Sequence, residues 1–189
     1  MRQPVNFTRL QDFIKALGTA TRAQARVYLV GGATAVLFGW RDSTIDLDLK
    51  IIPDSDEILR SLPALKERLE MNIELASPDD FIPALPGWQE RSRFIQQEGK
   101  LSFFHYDFYG QALAKLERSH TMDLQDVHAM IDSGLVDPNR LLELFTTIED
   151  QLYRYPAIDG PAFRRAVERL VSAKTSRTPE RSGHENQLL

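Results

Sequence analysis

Apolar residues in the first quarter of the chain follow helical and strand-like patterns in turn. Their spacing predicts an amphipathic helix over residues 6–18, with Gly18 as its terminator. A short buried strand at 26–30, a short helix at 33–38 and a second strand at 43–52 follow. This order of elements is typical of a domain that mixes helices with a sheet.

The middle of the chain continues the same alternation. A helix is predicted at 55–70 and a third strand at 72–76. Two further strand-like segments, 92–97 and 101–108, flank the three residues 98–100, which include a glycine and predict a hairpin. Because a helix separates each pair of early strands, we expect those strands to pair in parallel.

The last part of the chain is helical in pattern. Helices are predicted at 109–119, 122–133, 138–153 and 161–173, and the polar segment 174–189 lacks periodicity, which predicts a flexible tail. The whole pattern predicts an α/β (α+β) fold with a small sheet flanked by helices and a C-terminal helical block.

We therefore expect three parts along the chain. Residues 1–110 form an α/β core, residues 111–173 form a helical block packed on that core, and residues 174–189 form the flexible tail. No internal repeat interrupts this order.

Two acidic residues stand one residue apart in the second predicted strand. Because strand side chains alternate between faces, Asp46 and Asp48 share one face, while Ile45, Leu47 and Leu49 point towards a core. Two close carboxylates repel each other and raise each other's pKa unless a cation lies between them. Mg²⁺ or Mn²⁺ would relieve that repulsion. The alternative is an amphipathic strand whose outer face is acidic.

A pair of glycines ends the strand that comes before these acids. Gly31 and Gly32 lack a Cβ atom, so a phosphate can approach their backbone closely. They also open the next predicted helix, whose free N–H groups and positive dipole end attract anions. Phosphates held there would reach a metal bound by the acid pair. The alternative is a tight turn that needs glycine for its conformation alone.

Composition narrows the class of protein. The chain has 189 residues, of which 42% are hydrophobic, and no cysteine, which excludes disulfides, thiolate metal sites and a cysteine nucleophile. With no membrane-length apolar run and no signal-peptide pattern, we expect a cytoplasmic protein that does not contact a membrane. A net charge of −4 argues against a chain coated in basic charge for duplex binding. This net charge does not exclude a local basic patch, for which the candidate residues are Arg91, Arg93, Lys100, Lys115 and Arg118.

The spacing of the glycines and the acids resembles the nucleotidyltransferase fold of the DNA polymerase β type. That superfamily pairs a Gly-Gly or Gly-Ser turn with an Asp-x-Asp on the next strand. The version in this chain, Arg41-x-x-Thr44-x-Asp46-x-Asp48, looks like the branch that contains the AbiEii-type toxins and related small bacterial nucleotidyltransferases. The fold implied is a small mixed sheet flanked by helices.

A second block of sequence resembles the later motif of the same branch. In that motif a helical lysine, a following arginine and an Asp-x-x-Asp close the site. Here Lys115, Arg118, Asp123 and Asp126 stand in that order, and Met122 occupies a position where the branch usually has arginine. The alternative is structural, with Asp123 capping a helix and the two cations in surface ion pairs.

The resemblance implies a metal-dependent transfer of a nucleoside monophosphate from a nucleoside triphosphate to an RNA, such as a tRNA 3′ end, or to a protein. It also implies Mg²⁺ or Mn²⁺ as cofactor and a possible role as the toxin of a pair with an antitoxin. Arg41 either offsets phosphate charge or braces the turn, and Thr44 supports the strand. The implied catalytic residues are Asp46, Asp48, Glu74, Lys115 and Asp123; the metal ligands are Asp46, Asp48 and Glu74, with Asp107 as the alternative third carboxylate; the nucleotide-binding residues are Gly31, Gly32, Thr34, Arg41, Lys115 and Arg118.

Two other functions fit parts of the same pattern. One is a nucleotide-binding module of the same fold without turnover. The other is a Mg²⁺-dependent phosphohydrolase that uses Asp46 as nucleophile, although such enzymes begin their first strand with the acidic motif. Trp40 and Trp88 are candidates for stacking on a base, and packing in the core or at its rim is the commoner use of such residues.

Overall fold

A computed structural model describes residues 3–175 of the chain. Of the predicted tail, residues 176–189 lie outside the described residues. The first half of the described chain forms β1 (Val5–Asn6), α1 (Phe7–Ala20), β2 (Ala25–Val30), α2 (Gly32–Leu37), β3 (Ser43–Thr44), β4 (Asp46–Ile52), α3 (Asp56–Arg68) and β5 (Asn72–Leu75).

The second half begins with a short 3₁₀ turn and becomes mostly helical. Its elements are the 3₁₀ turn Pro78–Asp80, α4 (Trp88–Arg91), β6 (Arg93–Glu98), β7 (Leu101–His105), α5 (Phe108–Arg118), α6 (Thr121–Asp132), α7 (Pro138–Glu149), a 3₁₀ turn at Leu152–Arg154, and α8 (Gly160–Thr175). Among residues 3–175, no helix combines the length and the apolar character that crossing a membrane requires.

The main sheet is mixed, and its strand order is β5-β4-β2-β7-β6. The pairs β4–β5 and β2–β7 are parallel, whereas β2–β4 and β6–β7 are antiparallel. The strands β1 and β3 form a separate two-stranded ribbon. A mixed sheet with flanking helices and a C-terminal helical block is the predicted fold class, which is confirmed.

The prediction of parallel pairing was wrong for the first two strands of the sheet. The helix between them, α2, has six residues and a length of about 9 Å, whereas β2 spans about 20 Å. The chain therefore does not return along the length of β2 before β4 begins. It enters β4 at the end where β2 stops, with Val30 opposite Asp48, and the pair is antiparallel.

The first hydrophobic core lies between one face of the sheet and the helices α1 and α3. Leu47 and Leu49 point into it, as predicted, and both are fully buried. Ile45 does not, because it stands between β3 and β4 rather than inside a continuous strand, and it is 74% exposed.

The predicted role of Gly18 as helix terminator was also wrong. Helix α1 continues to Ala20, and a Cβ at Gly18 would lie 2.5 Å from the Cγ of Glu98 in the adjacent hairpin.

The second hydrophobic core joins the helices α5 to α8 with the segment that precedes α4. Ile82 and Leu85 from that segment belong to the same buried cluster as Leu113 of α5. This cluster contains residues from both sides of the predicted boundary at residue 110, and the division into separate parts stays a prediction.

The helix α5 connects the helical block to the sheet. Asp107 caps its N-terminus, where its side chain accepts a hydrogen bond from the backbone N–H of Tyr109. Its buried residues include Gln111 and Lys115, which lie over the face of the sheet opposite the first core. The helix thus holds polar groups against the strands that carry the acid pair.

Candidate functional site

Three carboxylates lie together on one face of the sheet, and we call them the acid face: Asp46, Asp48 and Glu74. In β4, Asp46 and Asp48 alternate with the fully buried Leu47 and Leu49, as strand geometry requires. The parallel neighbour β5 places Glu74 beside Asp48 in the register of the two strands. The acid pair predicted from sequence and one of its two candidate third carboxylates are therefore adjacent.

An asparagine that the sequence reasoning missed ties this acid face together. The side-chain Nδ2 of Asn72 donates to Oδ1 of Asp46 at 2.6 Å and to Oε1 of Glu74 at 2.7 Å. Its position two residues before Glu74 on β5 puts it on the same face of the sheet. That spacing was visible in the sequence, but the pairing of β5 with β4, which brings Asn72 to Asp46, was not.

The acid face concentrates negative charge. Burial, together with the neighbouring carboxylates of Asp46 and Glu74, raises the pKa of Asp48 to about 6. Arg118 and Lys115 act against this rise. The ionised form of Asp48 is thus held in an environment that disfavours it, and a cation bound at the acid face would relieve that cost.

Asp46 and Asp48 are the candidate ligands for a hard divalent cation. Among residues 3–175, no group of three or more His, Cys, Asp or Glu side chains is arranged so that it could hold a metal ion by itself. Mg²⁺ needs no such cage, because it is usually held by one or two carboxylates together with substrate phosphates and water. Asp46 and Asp48 supply two carboxylates, and Glu74 lines the same cleft.

The first glycine of the pair borders the acid face. Gly31 has a φ of 59°, a conformation that favours glycine, and a Cβ there would lie 3.6 Å from Oδ2 of Asp48. Its N–H donates to Oε1 of Gln111 at 2.8 Å, and Nε2 of Gln111 donates to the carbonyl of Tyr106 at 2.7 Å. Gln111, which the sequence reasoning also missed, thus holds the turn from α5.

The second glycine has a packing role. A Cβ at Gly32 would lie 2.0 Å from Oγ1 of Thr44, so no side chain fits between them. The hydroxyl of Thr44 donates to the carbonyl of Asp46 at 3.2 Å. Gly32 therefore lets Thr44 approach α2 and support the start of β4. The phosphate-binding role predicted for the two glycines stays a prediction, and Gly31 is the one that lines the cleft.

Lys115 and Arg118 of α5 face the acid face across the cleft, and we call them the basic wall. Nζ of Lys115 lies 3.0 Å from Oδ1 of Asp123 and 2.6 Å from Oδ2 of Asp126. Arg118 contacts Asp123 through Nη2 at 3.0 Å. Because Asp126 is buried and paired to a buried lysine, the surface ion pair considered from sequence is excluded for Lys115.

The predicted Asp-x-x-Asp also binds an arginine from a distant part of the chain. Nε and Nη2 of Arg41 donate to the two carboxylate oxygens of Asp126 at 2.9 and 2.7 Å, and Nη2 also contacts the carbonyl of Met122 at 3.2 Å. This bidentate pair joins α6 to the loop before β3. The side chain of Arg41 thus binds α6 and is not among the residues that line the cleft. The two roles predicted for it, at the phosphates or at the turn, stay predictions.

The acid face and the basic wall enclose a single open cleft of about 190 Å³. Typical small-molecule pockets measure roughly 300–1,000 Å³, so this cleft encloses only part of a nucleotide. Its lining residues are Val30, Gly31, Asp46, Asp48, Glu74, Ala76, Ser77, Pro78, Phe81, Gln111, Ala114, Lys115 and Arg118.

Several residues predicted from sequence lie outside this cleft. The side chain of Thr34 is fully buried, where its hydroxyl contacts Nδ1 of His105 and the carbonyl of Leu29, so Thr34 is not positioned to bind a nucleotide. The buried Asp107 forms an ion pair with Arg91 at 2.7 Å and does not line the cleft, whereas Glu74 does. Asp123 does not line the cleft, but it forms ion pairs with Lys115 and Arg118, which do.

Comparison with known proteins identifies the class. Residues 5–159 match the model of a family described as nucleotidyltransferase of unknown function (DUF6036). The match covers most of the chain, including every residue of the acid face and the basic wall, and the chain therefore belongs to this family. No curated protein and no solved structure shows a significant match to it.

Proposed function

We propose that this protein is a metal-dependent nucleotidyltransferase that moves a nucleoside monophosphate from a nucleoside triphosphate to an acceptor hydroxyl. The observation that supports this most strongly is the cleft itself, in which Asp46 and Asp48 face Lys115 and Arg118 beside the Gly31 turn. A phosphate chain and a divalent cation together satisfy both sides of such a cleft, because each side carries charge of the opposite sign to one of them.

The reaction proposed is a displacement at phosphorus. The oxygen of the acceptor hydroxyl attacks the α-phosphorus, the bond between that phosphorus and the α–β bridging oxygen breaks, and pyrophosphate leaves. The proton of the hydroxyl passes to Glu74, the exposed carboxylate of the acid face. Asn72 orients both Asp46 and Glu74 for these roles through its two hydrogen bonds.

Asp46 and Asp48 would hold Mg²⁺ or Mn²⁺. A divalent cation supplies stabilisation of the negative charge that develops on the attacking and leaving oxygens. Lys115 and Arg118 offset the charge of the triphosphate from the opposite side of the cleft. Asp123 holds both of these cations in place from α6, which makes it a positioning residue in this proposal.

Within the nucleotidyltransferases, we assign the chain to the branch of the AbiEii-type toxins. The order of the two sequence blocks supports this assignment, and so does the joint packing of the residues of the second block, Lys115, Arg118, Asp123 and Asp126. The acceptor in this proposal is an RNA such as a tRNA 3′ end or a protein, and the partner is an antitoxin. The nucleotide-binding module without turnover is the alternative that the experiment below separates from it.

The test measures label transfer. The protein is incubated with each α-³²P-labelled nucleoside triphosphate, Mg²⁺ or Mn²⁺, and total RNA, and label is then followed in RNA and in protein. We expect transfer by the wild type, transfer at background level by Asp46→Asn, and unchanged transfer by Asp56→Asn. The last variant removes an exposed acid at the start of α3 that does not line the cleft.

The other outcomes point to the other functions. Saturable nucleotide binding without transfer of label would identify a binding module. Release of inorganic phosphate without transfer would identify a phosphohydrolase. Equal transfer by the wild type and Asp46→Asn would show that the acid face does not perform the reaction.

A further inference from the structure

Among the residues that the structure describes, one aromatic side chain lines the cleft. Phe81 is 47% exposed, and it follows the 3₁₀ turn that also contributes Pro78 to the lining. Together with Ala76 these residues form the apolar side of the cleft, which we call the apolar wall. An exposed phenylalanine beside charged groups has no packing role in the described cores, since it belongs to none of the three buried clusters.

The backbone around Phe81 is held in place. Ser77 and Asp80 form a reciprocal capping box at the 3₁₀ turn, with the N–H of Ser77 donating to the carboxylate of Asp80 at 2.7 Å. The N–H of Phe81 donates to the carbonyl of Pro78 at 3.0 Å, and the next residue, Ile82, is buried in the second core. The ring is therefore presented to the cleft by an ordered turn.

The two tryptophans considered from sequence are used elsewhere. Trp40 stacks on Phe38 with 4.8 Å between ring centroids, and Trp88 stacks on Tyr106 at 4.3 Å. Neither lines the cleft. Among the residues described, Phe81 is the aromatic side chain that remains available to a molecule bound there.

We propose that Phe81 stacks on the base of the nucleoside triphosphate that the cleft binds. This inference rests on the proposed function. The charged groups of the cleft match the phosphates, and the enclosed volume of about 190 Å³ leaves the base at the mouth, where an apolar ring is exposed. Aromatic stacking stabilises bound bases and tolerates any base, because every base has a π face.

Phenylalanine has no hydrogen-bonding group, so Phe81 contributes affinity for a base without selecting among the four. It also contributes nothing to the affinity for inorganic tripolyphosphate, which carries the same phosphates without a base. Loss of the ring should therefore weaken the binding of nucleotides and leave the binding of tripolyphosphate unaffected. This contrast separates stacking from a general disturbance of the cleft.

The test is a titration by calorimetry with Mg²⁺ and without acceptor, using each of the four nucleoside triphosphates and inorganic tripolyphosphate. For Phe81→Ala we expect the Kd of the nucleotides to rise about tenfold and that of tripolyphosphate to stay within about twofold of wild type. Phe81→Tyr should bind as wild type does. Phe94→Ala, which removes a 57% exposed phenylalanine on β6, is the matched control and should change neither Kd.

Phe81→Leu keeps the apolar volume without the aromatic ring and replaces Phe81→Ala if that variant does not fold. Nucleotide affinity unchanged in these variants, or an equal loss for nucleotides and tripolyphosphate, would overturn the role of Phe81 while leaving the proposed function in place. A wild type that binds neither ligand would overturn the proposed function together with this inference.

Discussion

The ammonium of Lys115 lies 2.6 Å from Oδ2 of Asp126, and both side chains are almost completely buried. Asp126 also accepts two hydrogen bonds from Arg41, so one carboxylate holds two cations from two different parts of the chain. A buried charge is costly unless it is paired. The arrangement therefore connects α5, α6 and the loop before β3 through a network of ion pairs. In this network each charge is stabilised by an oppositely charged neighbour.

We expect Asp126→Asn to destabilise the protein by about 3 kcal/mol, because it leaves two cations short of a buried counter-charge. Asp56→Asn is the matched control, since Asp56 pairs with Arg60 at 3.6 Å on an exposed helix face and should cost less than about 0.5 kcal/mol. Urea denaturation of the two variants and the wild type measures both. Equal stability of the two variants would contradict the importance of the network.

The acid face should show the opposite effect. Asp48→Asn removes one of the crowded charges, and we expect it to stabilise the metal-free protein at pH 7 by about 1–2 kcal/mol, a figure reduced to allow for partial exposure. The folded protein holds the pKa of Asp48 at about 6, above the ordinary 3.8, so its ionised form is the destabilising one. The gain should shrink as the pH falls from about 6 towards 4.

Thermal melting in the presence of a chelator, at pH 7 and at pH 4.5, measures this gain. Asp42→Asn removes an exposed acid from the loop before β3 and serves as the control, which should leave the melting temperature unchanged. A lower melting temperature for Asp48→Asn at pH 7 would indicate that Asp48 has a structural partner rather than a repulsive environment.

His105 makes stability depend on pH. It is 7% exposed, lies 4.8 Å from the ring of Phe38 between centroids, and shares a hydrogen bond with Thr34. Burial lowers the pKa of His105 from 6.5 to about 4, with Arg93 acting in the same direction. The unfolded chain takes up a proton below pH 6.5 and the folded protein does not until about pH 4, so stability is complete above pH 6.5 and is lost as the pH falls.

We expect the wild type to lose about 2 kcal/mol more than His105→Gln between pH 7 and pH 5, because only the wild type carries this proton linkage. Urea denaturation at the two pH values measures the difference. His128→Gln, which removes an exposed histidine from α6, should keep the wild-type dependence. Parallel losses in the wild type and His105→Gln would show that other groups control acid sensitivity.

The contact between Gly32 and Thr44 can be tested with a single methyl group. A Cβ at Gly32 would overlap Oγ1 and Cβ of Thr44, at 2.0 and 2.6 Å, so Gly32→Ala should cost about 2–3 kcal/mol. Gly160→Ala, whose new Cβ would meet its nearest atom at 3.6 Å, should cost much less. Adding Thr44→Gly to Gly32→Ala removes the overlap, and chemical denaturation should show partial recovery. No recovery would mean that the cost arises elsewhere.

The acid pair shows what a local pattern can predict. Alternation along one strand places Asp46 and Asp48 on one face whatever the rest of the fold does. The order of elements and the mixed fold class followed from periodicity in the same way. Ile45 was misplaced for the reason that limits such arguments, because alternation holds only while the strand is continuous, and the strand begins at Asp46.

The third carboxylate shows where local patterns stop. The sequence favoured Glu74 over Asp107 only slightly, because Glu74 lies on the next strand, and strand pairing shows which of the two lies beside the acid pair. The parallel register of β4 and β5 brings Glu74 beside Asp48, whereas Asp107 caps α5 and pairs with Arg91. Asn72, Gln111 and Phe81 were missed for the same reason, since each acts on a residue that is far away in sequence or lines a cleft formed by several elements.

The sequence alone thus determined most of the elements, the acidic face of one strand and the glycine turn before it, because each depends on the conformation of a few consecutive residues. The tertiary structure alone decided that β2 and β4 are antiparallel, that Arg41 braces Asp126, and which side chains share a cleft. Those features depend on contacts between distant segments, whose pairing is set by the packing of the whole chain and not by any local spacing.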